Sequence, residues 1–193
     1  MNKIYNPKPE TWEALLERPT QTVSDIEGTV SEVFDAVKTK GDVAINDYTQ
    51  RFDKVSLESI LVSENEITEA NNLVTDELKK AIQLAKGNVT RFHEAQKTKR
   101  VQVTTMNGVD CWQEKRPIQK VGLYIPGGTA PLFSTILMLV LPAKIAGCKE
   151  IVLCSPPDAD GKIHPAILYT ANLCGVTKIC KVGGIQALSL IHI

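Results

Sequence analysis

The sequence predicts an α/β protein, in which a mainly helical N-terminal region precedes a parallel βαβαβ sheet. Three apolar runs, Val121 to Ile125, Glu150 to Cys154 and Val176 to Val182, have the length of buried strands and stop at proline or glycine turns. Helical stretches separate them, and strands joined by such crossover helices run parallel. This is the order of half a doubly wound sheet, in which ligands bind beyond the carboxyl ends of the strands.

The first hundred residues predict an arm followed by helices. The arm holds Pro7, Pro9 and Pro19 and ends in one or two helical turns. The helices are predicted from Ser24 or Asp25 to Lys40, from Asp42 past Phe52, from Ser63 to about Leu73, and from Asp76 to about Gln96. Ser63 and Glu66 have the spacing of a capping box. In the second helix we expect four buried side chains: Val43, Ile45, Tyr48 and Phe52.

A hairpin follows, because Asn107-Gly108 separates two strand-like runs, Val101 to Thr105 and Val109 to Lys115. Pro117 ends the second run. We therefore place a domain boundary there, with the arm, helices and hairpin in residues 1–117 and the parallel sheet in residues 118–193.

The first crossover helix is expected from Pro131 to Ala146, with Gly147 as its left-handed C-terminal residue. Its apolar residues are too dense for one stripe, which indicates a helix largely covered by protein. Pro142 predicts a kink or a break within it, because proline lacks a backbone donor. The second crossover helix is expected from Ile163 to Cys174.

Composition excludes several classes of function. Among 193 residues, 22 basic and 22 acidic side chains leave no net charge, which argues against nucleic acid or an anionic membrane surface as partner. No apolar run reaches the length that spans a bilayer, and we expect a cytoplasmic protein. Five cysteines without C-x-x-C spacing indicate reduced thiols that fill the core or its margin.

The glycine turns at the strand ends are the candidate site. Gly127-Gly128 would let a phosphate or a flat ring approach the backbone, or would simply make a tight turn. Tyr124 precedes that turn, and Gln186 follows the equivalent turn Gly183-Gly184. Each is a ligand contact or a structural residue on these grounds alone. We expect both to lie on neighbouring strand ends facing one crevice. His93 and His164 are interpreted as surface or structural residues.

Three segments carry a resemblance to a known family: GDVAINDYTQRFDKV, VGLYIPGGTAPLFSTILMLVLPAKIAGCKEIVLCSPP and LCGVTKICKVGGIQA. They resemble histidinol dehydrogenase. The resemblance implies an incomplete Rossmann-like fold similar to that of aldehyde dehydrogenases. It also implies a cytoplasmic, NAD-dependent, zinc-containing homodimer that oxidises L-histidinol to L-histidine through L-histidinal in histidine biosynthesis. The family's NAD-contacting tyrosine and glutamine match Tyr124 and Gln186, while Ile185 stands where alanine is usual.

The resemblance places the family's acid/base pair and zinc ligands beyond this sequence. No catalytic and no metal residue is therefore assigned here, and the polypeptide is expected to be an inactive N-terminal fragment. Its N-terminal helices are expected to pack against segments outside it. Two alternatives stay open, a non-catalytic nucleotide-binding module and an interaction domain.

The last six residues, LSLIHI at 188–193, are predicted to be non-native. The resemblance runs through Gly183 to Ala187 and then stops at a residue boundary. The same six residues are the translation of CTGTCTCTTATACACATC, a transposon-end adapter used for sequencing libraries. The alternative is the true start of a helix.

Overall fold

The structure is a computed structural model that describes residues 3–17, 23–128 and 130–192. Pro19 of the predicted arm, Thr129 after the first glycine turn and Ile193 of the last six residues lie outside the described residues.

The N-terminal elements follow the predicted order. They are a 3₁₀ turn at Pro9–Thr11 and the helices α1 Trp12–Leu16, α2 Val23–Lys40, α3 Asp42–Asp53, α4 Glu64–Leu73 and α5 Asp76–Ala95. The capping box at the start of α4 is confirmed. The Ser63 hydroxyl oxygen accepts from the Glu66 N–H, and the Glu66 carboxylate accepts from the Ser63 N–H. Two orphan donors of the first turn are thereby satisfied.

The predicted hairpin is also confirmed. Strands β1, Gln102–Met106, and β2, Val109–Trp112, pair antiparallel around Asn107-Gly108. Gly108 has a φ of +81°, a conformation that glycine adopts without strain. Every residue of both strands is exposed.

The parallel unit completes the described chain. Its elements are β3 Lys120–Tyr124, α6 Phe133–Ala146, β4 Glu150–Ser155, α7 Pro165–Cys174, β5 Lys178–Lys181 and α8 Gly184–His192. The three strands are parallel in the order β3-β4-β5, and Tyr124, Cys154 and Cys180 lie side by side in register. Helix α6 runs through Pro142 without a break, and Gly147 ends it in the predicted left-handed conformation.

Helices cover both faces of this sheet. On the face that we call the first face, α6 and α7 pack on each other, and α5 and α4 pack outside them. The core there is aliphatic, with Ile136, Ile151 and Leu153 fully buried. Alternation along the strands sends Leu153 to this face and its neighbour Cys154 to the other.

The opposite face, the second face, is covered by α8, which packs on β3, β4, α2 and α3. Its core joins Val33, Val37 and Ile45 of the N-terminal helices to the two strand cysteines. Helices α2 to α5 therefore pack against the parallel unit of this same chain. They also leave Leu73, Leu84 and Phe92 exposed, and further packing against segments outside the sequence stays a prediction.

One contact between the N-terminal region and the parallel unit is not predicted by the sequence. Residues 60–62 run antiparallel along the outer edge of β5, where the Val62 N–H donates to the Ile179 carbonyl at 2.9 Å and the Lys181 N–H to the Ile60 carbonyl at 2.7 Å. This segment satisfies backbone groups that an open edge strand would expose.

Two burial predictions for α3 are wrong. Ile45 and Tyr48 are buried, but Val43 and Phe52 are 63% and 47% exposed. The α6 prediction also needs correction, since Met138 is 53% exposed and the helix keeps one open side. Spacing identifies the buried centre of a helix face, whereas the width of that face depends on what packs there.

Candidate functional site

Tyr124 ends β3 on the second face and reaches across the sheet. Its hydroxyl oxygen accepts a hydrogen bond from the Gly184 N–H at 3.2 Å, at the start of α8. Strand β4 lies between β3 and β5, so the expectation that Tyr124 and Gln186 follow neighbouring strands is wrong. The tyrosine nonetheless links the turn before Gln186 to the end of β3, because its hydroxyl accepts from the Gly184 N–H.

Gln186 lies in the first turn of α8 and is 0% exposed. Its Oε1 and Nε2 atoms are both buried and have no hydrogen-bond partner. A Cβ on Gly184, which has a φ of +59°, would lie 2.9 Å from Gln186 Oε1. An unpartnered buried amide is unfavourable in a folded protein, and such groups occur where a ligand or water completes them.

Pro156 packs between two of the glycine turns. A Cβ on Gly127 would lie 2.6 Å from Pro156 Cγ, and a Cβ on Gly183 would lie 2.5 Å from Pro156 Cβ. Gly128 has no atom within 4 Å of the equivalent position. Gly127 and Gly183 thus serve close packing of the strand-end loops, while Gly128 leaves its backbone open to a ligand.

A cleft of about 310 Å³ opens beside Gly128 at the carboxyl ends of β3 and β4. Lys162 and His164 are the basic side chains that line it. His164 Nδ1 accepts from the Ala166 N–H at 3.1 Å, which caps α7 and agrees with the structural interpretation of this histidine. Tyr124 and Gln186 do not line this cleft, so the predicted shared crevice is not formed by it.

Comparison with known proteins matches this arrangement to one family. The family model described as histidinol dehydrogenase matches residues 16–192. The chain belongs to the histidinol dehydrogenase family. It is 53% identical to the histidinol dehydrogenase of Bacteroides thetaiotaomicron over 98% of this chain, and 50% identical to that of Salmonella typhimurium over 94%.

The fold agrees with that of a family member. The crystal structure of histidinol dehydrogenase from Elizabethkingia anophelis superimposes on this chain with a TM-score of 0.86 and 52% sequence identity. The match covers 95% of this chain and 42% of the Elizabethkingia anophelis chain. The chain spans 44% of the Bacteroides thetaiotaomicron relative and 41% of the Salmonella typhimurium relative. The predicted mixed α/β fold with a parallel sheet is confirmed for this part of the family's length.

The cysteines of this family member are mainly core residues. Four are buried and Cys111, on the hairpin, is exposed. On the second face the Cys154 thiol hydrogen-bonds to Cys180, which together with burial raises the pKa of Cys154. The same hydrogen bond lowers the pKa of Cys180 against the opposing effect of burial. Burial raises the pKa of Cys174 to about 11.

Within residues 3–17, 23–128 and 130–192, no group of three or more His, Cys, Asp or Glu side chains could hold a metal ion. No helix in the same part of the chain is long and apolar enough to cross a membrane.

Proposed function

We propose that this chain is the nucleotide-contacting part of an NAD-dependent, zinc-containing histidinol dehydrogenase that oxidises L-histidinol to L-histidine through L-histidinal. Family membership supports the reaction. The unpartnered amide of Gln186 is the observation that carries the assignment of the nucleotide site. The homodimer and the cytoplasmic location implied by the resemblance are part of the same proposal.

The residues near the Gly184 turn fit NAD. Gln186 offers both a donor and an acceptor without partners, and the ribose hydroxyls and the carboxamide of NAD offer the complementary groups. Tyr124 presents a ring for stacking and a hydroxyl already oriented by the Gly184 N–H. NAD, when bound, accepts hydride. The role of this chain's residues is therefore to hold and orient the dinucleotide.

Zinc does not fit the residues in hand. The described residues bring together no three candidate ligands, and none of them is assigned to zinc or to proton transfer on the substrate. The acid/base groups and zinc ligands that the family resemblance implies are proposed to lie outside this sequence. We therefore expect no histidinol oxidation by the purified 193-residue polypeptide, with or without added zinc.

The nucleotide assignment is tested by calorimetric titration of the polypeptide with NAD. Tyr124→Phe and Gln186→Met should each weaken binding by about tenfold or more, because each removes a polar partner at nearly constant shape. Tyr169→Phe is the matched control, since Tyr169 is also largely buried and its hydroxyl accepts from Gln83 on the first face. Unchanged NAD affinity in both test variants would overturn the site.

The activity assignment needs a separate assay. Absorbance of NADH is followed with L-histidinol, NAD and the purified polypeptide, in the presence and absence of zinc. NADH formation above the rate without protein would contradict the predicted inactivity and would place catalytic groups within these 193 residues.

The predicted non-native origin of residues 188–193 also stays a prediction. Residues 188–192 continue α8, and Ile191 packs so closely on β3 that a Cβ on Gly122 would clash with it. Sequencing of the source locus should show different codons after Ala187. Native codons for LSLIHI would refute it.

A further inference from the structure

Lys181, the last residue of β5, is a lysine held from two directions. Its backbone N–H donates to the Ile60 carbonyl at 2.7 Å, and its ammonium donates to Glu66 Oε1 at 3.0 Å. The lysine side chain is 11% exposed and the glutamate side chain 22% exposed. Charged side chains are rarely this buried unless they are paired, and the pair joins α4 to the end of the sheet.

The Glu66 carboxylate has further partners besides Lys181. Its Oε2 accepts from the Ser63 N–H at 2.8 Å and from the Ser63 hydroxyl at 2.9 Å. Partial burial opposes ionisation of Glu66. The Ser63 hydrogen bonds and the Lys181 ammonium outweigh that effect and lower the pKa of Glu66 below its ordinary value. The carboxylate is therefore fixed by the capping box before it receives the lysine.

The residues directly after Lys181 form the turn of the proposed nucleotide site. Val182 is fully buried, and Gly183 packs against Pro156. Gly184 then donates its N–H to the Tyr124 hydroxyl. Because this short turn begins directly after the ion-paired Lys181 and its first residue, Val182, is buried, it transmits the position of Lys181 to Gly184 and Gln186.

We propose that Lys181 and Glu66 are positioning residues for nucleotide binding. The pair fixes the carboxyl end of β5 against α4, and thereby the positions of Gly184, whose N–H donates to Tyr124, and of Gln186, which we assign to the dinucleotide. This inference rests on the proposed function. It differs from a purely stabilising role, which would change the free energy of unfolding and leave the geometry of the turn unaltered.

The variants that test it are Glu66→Gln, Lys181→Met and Lys181→Arg. Glutamine can keep the capping box, because its carbonyl oxygen can accept from Ser63, and it removes both the charge and the acceptor that Lys181 uses. Arginine restores the cation, and therefore serves as the conservative rescue of Lys181→Met. The control is Lys120→Met, because Lys120 pairs with Glu150 at 3.2 Å at the amino end of the same sheet, where both side chains are exposed. An exposed pair contributes little, so this control variant should behave as the parent.

Two readouts separate positioning from stability in the full 193-residue chain. One is the NAD dissociation constant by calorimetry, and the other is the Gly184 amide resonance and its hydrogen exchange by NMR. We expect Glu66→Gln and Lys181→Met to raise the dissociation constant by about fivefold or more and to shift the Gly184 resonance. Lys181→Arg should recover most of both effects, and Lys120→Met should change neither.

Each outcome distinguishes a positioning role of the Lys181–Glu66 pair from a purely stabilising role. A lower melting temperature with unchanged NAD affinity and an unchanged Gly184 resonance would overturn the positioning role. If the parent chain binds no NAD, the proposed nucleotide site fails. The Gly184 resonance then still tests whether the pair positions the turn. An unchanged Gly184 resonance in Lys181→Met would refute the positioning role as well. If Lys181→Met does not fold, Glu66→Gln with the capping box intact carries the test.

Discussion

The two faces of the parallel sheet differ in how their buried polar groups are satisfied. On the first face the Thr170 hydroxyl donates to the Ala166 carbonyl at 2.7 Å, and Lys181 is paired with Glu66. Within the described residues, the buried polar side-chain atoms without partners all belong to α3 and α8, on the second face. They are Asn46 Oδ1, Thr49 Oγ1, Asp53 Oδ2, Gln186 Oε1, Gln186 Nε2 and Ser189 Oγ.

The difference in unpartnered polar groups indicates that one face mainly stabilises the fold and that the other face is suited to binding. An unpartnered buried polar group costs about 1–3 kcal/mol, whereas an aliphatic core contributes stability without such a penalty. Proteins keep locally unfavourable choices mainly at sites of function. We infer that the first face provides most of the stability of this chain and that the second face carries the groups that a ligand would complete.

The largest expected effect is the loss of a first-face core side chain. Leu153→Ala should lower the free energy of unfolding by about 2–5 kcal/mol, because it leaves a cavity in a fully buried aliphatic cluster. Val152→Ala, one residue earlier and directed to the second face, should cost about 1 kcal/mol because Val152 is only partly buried. Urea denaturation measures both. Equal losses would contradict the unequal roles of the faces.

A smaller effect is expected at the glycine turns. Gly183→Ala should destabilise the fold by about 1–3 kcal/mol and weaken NAD binding, because the new methyl group would overlap Pro156. Gly128→Ala has open space and should leave the melting temperature nearly unchanged. Thermal unfolding of the two variants checks this. A destabilised Gly128→Ala would mean that both glycines serve packing.

Two buried threonines, each in a helix, allow the most direct comparison of the two faces of the sheet. Thr49→Val in α3 should raise the free energy of unfolding by about 1 kcal/mol, because it removes an unpartnered hydroxyl at constant shape. Thr170→Val in α7 should lower it by about 0.5–1.5 kcal/mol, because it removes a hydrogen bond. Chemical denaturation of both variants under the same conditions gives the sign of each change in the free energy of unfolding. Destabilisation by Thr49→Val would show that its hydroxyl has a partner in solution.

The smallest effects concern two carboxyl groups whose pKa values shift in opposite directions. Burial raises the pKa of Asp53 above its ordinary 3.8, so its ionisation destabilises the folded state as pH rises. The pKa of Glu66 is lowered from 4.5, so its stabilisation is present above that value and is lost as pH falls through the folded pKa.

At neutral pH, Asp53→Asn should therefore be more stable than the parent chain, and Glu66→Gln less stable. Both differences should shrink on acidification, because the parent carboxyl groups become protonated. Urea denaturation at about pH 7 and about pH 3.5 measures them. A Glu66→Gln difference that does not change with pH would show that the charge contributes nothing.

Features set by neighbouring residues could be predicted from the sequence. The capping box of Ser63 and Glu66 and the turn at Asn107-Gly108 form as expected, since each depends on a few adjacent side chains. The parallel order followed from strand and helix spacing. Of the two alternatives at Pro142, the break does not occur, because an otherwise continuous helix tolerates one missing donor. The kink stays a prediction.

Features set by distant residues could not be predicted. No sequence signal near Lys181 predicts its ion pair with Glu66. In its own segment, each of the two residues resembles a solvent-exposed surface charge. The pairing of residues 60–62 with β5 has no local signal either. Within the candidate site, the places of Tyr124 and Gln186 beside glycine turns, together with the family resemblance, predict a role in binding. The burial of the Gln186 amide without a partner depends on the helices packed around it.

The contact of Lys181 with Glu66 also affects the order of events during synthesis. The two residues are 115 positions apart in the chain. A ribosome adding 5–20 residues each second needs roughly 6–23 s to reach the lysine after the glutamate. Throughout that interval α4 lacks its cation, and residues 60–62 lack the strand that they border. The N-terminal half of the nascent chain thus keeps these polar groups without their partners until β5 emerges.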